Sequence, residues 1–274
     1  MERIVDKIYE DYEKLNEEPP RSYLGASQIG AECDRATWYS FRWFKKILFS
    51  GRMQRLFDTG KLEEDRFVRD LENVGVRVSV LDPSTGKQYR VETFEAHFSG
   101  STDGVATHIC PTDPEKQYIL EFKTHNEKSF SDLKDKGVKG SKIQHYAQLQ
   151  IYMGLFGIHQ AYYLAKNKNT DELYEEYIDF ARDEYNYYMQ KARSLILSQT
   201  PPNRINESPS YYKCKYCDFK DICHAQNPFN QNCRTCINSR PAKGGMWKCK
   251  AKDLVLDVDK QMEGCHDKYE PITK

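Results

Sequence analysis

Neither sign of charge predominates in this sequence: Lys+Arg and Asp+Glu each number 41, so the formal net charge is zero. Global charge therefore gives no support for a polyanionic partner, although a local basic patch is compatible with neutrality. No apolar run approaches the ~20 residues that a membrane span requires. The opening stretch MERIVDKIYEDYEKL alternates charged with apolar residues and lacks the apolar core of a secretory signal. No internal repeat is evident. These absences lead to the expectation of an intracellular, cytoplasmic protein without a membrane partner. What the chain has in quantity is aromatic side chains, 19 Tyr and 13 Phe, enough to build a substantial core in 274 residues.

Nine cysteines are many for such a chain, and all but Cys33 and Cys110 follow residue 213. A secreted disulfide scaffold is short and carries a signal, so paired CxxC spacings here favour metal.

The apolar periodicity predicts an amphipathic helix over residues 2–16, a second helix capped by Ser27 and running to about residue 44, and a third from about Met53 to Leu71. The segments RVSVLD, YRVETFEAHF, GSTDGVATHI and QYILEFK read as strands. SKIQHYAQLQIYMGLF is a strong helix, QAYYLAKNK and LYEEYIDF are two further strands, and ARDEYNYYMQKARSLILS is a last long helix. QTPPNRINESPS is a linker by composition. The expected fold is therefore α/β, a mixed sheet flanked by helices, with a small cysteine-rich tail.

Within that order four stretches carry polar side chains that point to chemistry. Asp103 lies in GSTDG, where flanking glycines permit close approach of a nucleic-acid backbone. In QYILEFK, Glu121 and Lys123 share one strand face and Phe122 takes the other. Gln148 and Tyr152 are four apart on one helix. Glu64 follows FDTG on a helix, with Glu63 beside it as the other candidate. Phosphodiester hydrolysis needs a hard divalent cation held by carboxylates, and a cationic side chain beside it to orient water and offset charge on the phosphate. Asp103, Glu121 and Lys123 meet that need. A Glu-x-Lys pair alone is equally a solvated ion pair. Near this set, His97 and Lys168 are weaker candidates.

In the stretches FDTGKLEED, HFSGSTDG, LEFKT and QHYAQLQIYM, the sequence resembles the PD-(D/E)XK nuclease superfamily, nearest its RecB-like branch, which includes CRISPR-adaptation nucleases and phage exonucleases. The resemblance implies a restriction-endonuclease-like core and a Mg²⁺ or Mn²⁺ site at Glu64, Asp103, Glu121 and the Phe122 carbonyl. Lys123 would be the catalytic lysine, and Gln148 and Tyr152 would form the Q-x-x-x-Y element. One departure is Thr102 where many relatives carry proline before the acid; that proline carries no chemistry. The implied activity is that of a DNA exonuclease, phage-encoded in a bacterial host and acting in replication or recombination with a partner protein. The alternatives are a structure-selective endonuclease on the same fold and a non-catalytic nucleic-acid-binding module.

Cys214, Cys217 and Cys223 are spaced C-x2-C-x5-C, one thiolate short of a tetrahedral site. The same branch takes a fourth ligand from far upstream, where Cys33 stands here, and holds a [4Fe–4S] cluster; zinc is the alternative, and His224 is a substitute ligand. Cys233, Cys236, Cys249 and Cys265, spaced C-x2-C-x12-C-x15-C, read as a structural zinc site, with His266 a lesser candidate and Cys110 left as a core residue. The expected division is a nuclease domain over residues 1–226 with the iron–sulfur staple, then a zinc module over 227–274. Arg42, Lys45, Arg52, Arg55, Lys139 and Lys142 are candidate DNA contacts, together with Lys46, Lys134 and Lys136. Trp38, Tyr39 and Trp43 read first as core, and second as base-stacking residues.

Overall fold

A computed structural model of the chain describes residues 3–225, 227–265 and 267–272. Two compact units emerge. Unit one comprises Met1–Glu18, Phe49–Val91 and Gly100–Tyr188; unit two comprises Pro19–Leu48, Glu92–Ser99 and Met189–Lys274. The boundary expected at residue 226 runs inside unit two, which also contains Cys33.

Unit one is a mixed sheet with helices against it. Its helices are α1 (Ile4–Glu13), α2 (Gly51–Asn73), α3 (Glu127–Ser141) and α4 (Ile143–Phe156). The sheet strands are β1 (Arg77–Ser79), β2 (Gly104–Thr107), β3 (Tyr118–His125), β4 (Gln160–Asn167) and β5 (Leu173–Asp179), in the order β5-β4-β3-β2-β1. β3 and β4 run parallel, and every other neighbouring pair is antiparallel. The parallel pair is what a helical crossover demands, and α3 and α4 supply it.

Alternation in β3 sets the two faces of the sheet. Tyr118, Leu120 and Phe122 join Ala106, Tyr162 and Leu164 in one apolar cluster with Phe67 and Leu71 of α2. The Phe67 and Phe122 rings stack at 5.1 Å and 28°. Truncating either ring would cost about 3–5 kcal/mol by lost burial and cavity formation. Ile119, Glu121, Lys123 and His125 consequently turn to the opposite face, where α4 lies. Residues Tyr146 to Met153 of α4 are all buried, so this helix is apolar around its circumference and its few polar groups need partners. Gly157, at φ 70°, ends it in the left-handed conformation.

One element is added and one expectation is corrected. NEKSFSDLKDKGVKGS, which lies outside the expected elements, forms α3: Asn126 caps it by accepting from the Ser129 N–H, and Gly137, at φ 68° and ψ 178°, interrupts it. The two glycines mask the apolar period of Phe130, Leu133 and Val138. The helix expected from Ser27 is instead a 3₁₀ turn, Ala26–Gln28, followed by a helix over Asp34–Phe41. Gly30 is a poor helix former, and Cys33 is extended at φ −94° and ψ 95°.

Unit two is built around aromatic rings and two buried arginines. Trp38, Tyr39, Phe44 and Trp247 are fully buried. Arg42, also fully buried, donates to the Arg234 carbonyl at 2.9 Å and the Ser198 carbonyl at 2.7 Å, and lies over the Trp38 and Trp247 rings. Arg234 donates to the Phe41 and Ser22 carbonyls and to Gln261, with its guanidinium 3.7 Å from the Trp43 ring centroid. Burial pushes the Arg42 guanidinium down to about 9, and Arg234 is displaced the same way. Arg42 is therefore a core residue and not a surface contact for DNA, and Trp38, Tyr39 and Trp43 are core as well. The C-terminal part of the unit forms a three-stranded antiparallel sheet of Ser239–Pro241, Trp247–Cys249 and Leu254–Leu256. Among the described residues no helix is long and apolar enough to cross a membrane.

Candidate active site

The acidic set assembles on unit one. Asp103 occupies a tight corner before β2. Gly104 follows at φ 152°, and a Cβ there would lie 2.9 Å from the Ser79 carbonyl oxygen, so only glycine fits. The buried Thr102 hydroxyl donates to the Leu120 carbonyl at 2.7 Å and ties that corner to β3. Asp103 Oδ2 in turn accepts from the Phe122 N–H at 2.6 Å. Lys123 Nζ pairs with Glu121 Oε1, donates to the Phe122 carbonyl at 2.9 Å and stands 4.0 Å from Asp103 Oδ2. Glu121 is fully buried. Its Oε2 accepts from Gln148 Nε2 at 3.2 Å, and that same amide donates to the Tyr152 hydroxyl at 3.1 Å. Glu121 Oε1 is held by the Lys123 ammonium, so each oxygen of this buried carboxylate has a partner.

Charge crowding shapes these groups. Burial first, then Asp103 and Glu64, push the Glu121 carboxyl up to about 7 against the opposing pull of Lys123. Glu64 is raised by burial and then by Asp103. Burial works to lower Lys123, but Glu121, Asp103 and Glu64 together outweigh it, and the net shift is upward, which keeps the amine protonated. The adjacent glutamates differ in surroundings. Glu64 interacts with Asp103, Glu121 and Lys123, whereas Glu63 accepts from Lys166 at 2.8 Å in a network with Arg66 and Asp171.

A neighbouring cluster escaped the sequence reading. Tyr163 of β4 places its hydroxyl 3.0 Å from His125 Nε2 and 2.9 Å from His145 Nδ1. Burial lowers His125 to about 4 and His145 to about 3, with Lys123 adding to both. The signal was present: Glu121, Lys123 and His125 alternate on one strand face, and His145, Gln148 and Tyr152 follow helical spacing.

The remaining candidates disperse. Arg52 and Arg55 are exposed on α2. Lys139 pairs with Glu184 at 2.8 Å and Lys142 stands 3.8 Å from Asp132; Lys134 and Lys136 pair with Glu172 and Asp132. In unit two, Lys45 pairs with Asp221 at 3.1 Å, and His97 is buried with Nε2 2.8 Å from the Ala242 carbonyl. The Lys168 N–H donates to the His125 carbonyl.

All nine cysteines are free thiols. Cys33, Cys214, Cys217 and Cys223 line one cavity of unit two together with His224. Burial and then Cys33 and Cys223 raise the Cys214 thiol. Burial, then Cys265, Cys249 and Cys236, push Cys233 up to about 11. Each set of four is thus gathered by the fold. Among the described residues no group of three or more His, Cys, Asp or Glu side chains stands arranged to hold a metal ion, neither these thiols nor the acids of unit one. His266 lies outside the described residues. Cys110, expected in the core, is only partly buried at its edge, 3.3 Å from the Thr112 hydroxyl.

No curated protein matches the sequence. Among solved structures, SSO0001 is 17% identical with a TM-score of 0.49, the match covering 82% of this chain and 98% of that one. An alkaline exonuclease from Laribacter hongkongensis is 14% identical with a TM-score of 0.45, covering 68% and 90%; the same enzyme in complex with dAMP gives 12% and 0.44 over the same shares. The family model of the PD-(D/E)XK nuclease superfamily matches residues 2–224, and with the acids, the lysine and the mixed sheet in place, the chain belongs to that superfamily of nucleic-acid hydrolases.

Proposed function

We propose that the chain is a Mg²⁺- or Mn²⁺-dependent exonuclease that hydrolyses phosphodiester bonds in DNA. The observation that carries this reading is the convergence of Asp103, Glu121 and Lys123, held by Phe122 and Gln148, with Glu64 interacting alongside. The residue types suit a hard cation: Glu64, Asp103 and Glu121 are carboxylates close enough to repel one another, and Glu121 is fully buried. Asp103, Glu121, Glu64 and the Phe122 carbonyl would hold it. When bound, the cation supplies polarisation of the phosphate and acidification of a coordinated water.

The chain's own residues do the rest. Lys123, protonated and 28% exposed, is a donor that orients the attacking water and offsets negative charge gathering on the phosphate. Gln148 holds one oxygen of Glu121, and Phe122 holds one of Asp103, so neither carboxylate swings as charge shifts. Exonuclease action on DNA, and a place in phage replication or recombination beside a partner protein, rest on the order of the motifs. We further infer a structural [4Fe–4S] cluster at Cys33, Cys214, Cys217 and Cys223, supported by their common cavity, and structural zinc at Cys233, Cys236, Cys249 and Cys265.

Asp103→Ala, Glu121→Ala and Lys123→Ala should each abolish Mg²⁺-dependent degradation of end-labelled DNA while circular dichroism stays unchanged. Full activity in Glu121→Ala would sink the assignment. In a gel time course, laddering from one end marks an exonuclease, discrete fragments an endonuclease, and intact DNA a binding module. Metal analysis with an anaerobic visible spectrum tests the cysteine sites: iron with broad thiolate–iron absorption is expected, and zinc alone would overturn the cluster.

A further inference from the structure

The α2 stripe that faces the sheet does not end where the sheet ends. Phe67 and Leu71, three and seven residues beyond Glu64, are buried in the apolar cluster of unit one. Four, seven and eleven residues before Glu64 lie Gly60, Phe57 and Met53, which helical spacing puts on the same stripe. Yet Phe57 is 43% exposed and Met53 36% exposed, and a Cβ built on Gly60 meets nothing within 4 Å. Glu64 thus marks the point at which an inward-facing apolar stripe becomes an open one. At 1.5 Å per residue, Phe57 stands about 10 Å along the helix from Glu64.

The open end of the stripe is stiffened. Phe49 meets Phe57 edge-on, with centroids 5.1 Å apart and planes at 85°. Asn16 clamps the Phe49 backbone from both sides, its amide donating to the Phe49 carbonyl at 2.8 Å and its oxygen accepting the Phe49 N–H at 3.0 Å. Ser50 caps the helix directly before the stripe. Lys61, exposed, flanks it close enough to act on Glu64 electrostatically. An exposed aromatic braced by Phe49, a cation beside it, and open space at Gly60 on the way to Glu64 form a stacking platform for a base with room for its backbone.

We propose that Phe57 stacks a base of an unpaired DNA strand a few nucleotides from the scissile bond, with Met53 beside it and Lys61 on the phosphate between. The proposal rests on the nuclease reading for its substrate and adds a positioning residue and a single-stranded requirement at that point. Arg52 and Arg55 lie off this stripe and are not part of it.

The test is fluorescence anisotropy of the full chain with end-labelled single-stranded oligodeoxynucleotides in buffer without added Mg²⁺ or Mn²⁺, where no hydrolysis is expected and structural metals are retained. An abasic nucleotide is walked inward from the end. For the unmodified protein, one abasic position should weaken binding about tenfold. Phe57→Ala should weaken binding of the intact strand by a similar factor and lose its sensitivity to that position; Phe57→Trp should restore both. Thermal melting checks that the variants fold. Equal affinity of Phe57→Ala and the unmodified chain, or an identical abasic profile in both, would overturn the proposal. Hydrolysis by Glu121→Ala would defeat the nuclease reading instead, and does not enter this binding measurement.

Discussion

Gln148 donates from one amide nitrogen both to Glu121 Oε2, at 3.2 Å, and to the Tyr152 hydroxyl, at 3.1 Å. A neutral side chain on α4 thereby fixes a buried carboxylate on β3. In the proposed site, the helix residue positions the carboxylate that would hold the cation.

Removing that tether should cost activity without removing the site. Gln148→Ala is expected to lower metal affinity or hydrolysis roughly 10–100-fold. Tyr152→Phe, which leaves the amide on Glu121, should cost less. Titration of hydrolysis with Mg²⁺ distinguishes the two, and equal activity in Gln148→Ala and the unmodified chain would contradict the tethering role.

Cation binding should depend on pH near neutrality. Burial raises Glu121 to about 7, so below that value a cation must displace a proton from it. Affinity for Mn²⁺ is expected to climb as pH rises toward about 7 and to level off above it. Calorimetric titrations at pH 6 and 8 check this, with Glu121→Gln losing the dependence; a flat profile in the unmodified chain would count against the acid cluster as the site.

Acid stability combines two opposing contributions. Glu121 has a folded pKa above its unfolded one, so its ionisation weakens the fold as pH rises between about 4 and 7. His125 and His145 have folded values of about 4 and about 3, below the unfolded ~6.5, so they favour unfolding as pH falls through that window. Glu121→Gln removes the first contribution. Urea unfolding at pH 7.5 and 5 should therefore show a larger acid-side loss in Glu121→Gln than in the unmodified chain. The same or a smaller loss would mean that burial does not hold the Glu121 carboxyl above its unfolded value.

Arg42 should matter for stability rather than for DNA. Arg42→Ala removes donors from two buried carbonyls and a guanidinium from between Trp38 and Trp247. A loss of roughly 2–4 kcal/mol in chemical unfolding is expected. The salt dependence of DNA binding by the folded variant should be unchanged. A reduced salt slope with unaltered stability would return Arg42 to the list of phosphate contacts.

Much of the site was legible in the chain itself because it depends on local periodicity. Alternation alone puts Glu121 and Lys123 on one face of a strand, spacing of four puts Gln148 and Tyr152 on one face of a helix, and Gly104 announces a corner at Asp103. Motif order carried the rest of the family resemblance. The lysine-rich helix α3 was hidden because two glycines lower its propensity, while its Asn126 cap and buried Phe130 and Leu133 show themselves only in three dimensions. Glu63 and Glu64 have the same charge and the same neighbours in sequence; about 100° of helix rotation separates them, and only the docking of Phe67 and Leu71 on the sheet turns Glu64 toward the acids and Glu63 toward Lys166. Arg42 reads as a surface cation until carbonyls of Arg234 and Ser198, more than 150 residues away, are found satisfying it. Local spacing determined which side chains share a face; contacts between segments distant in sequence decided which of those faces are buried, paired or open.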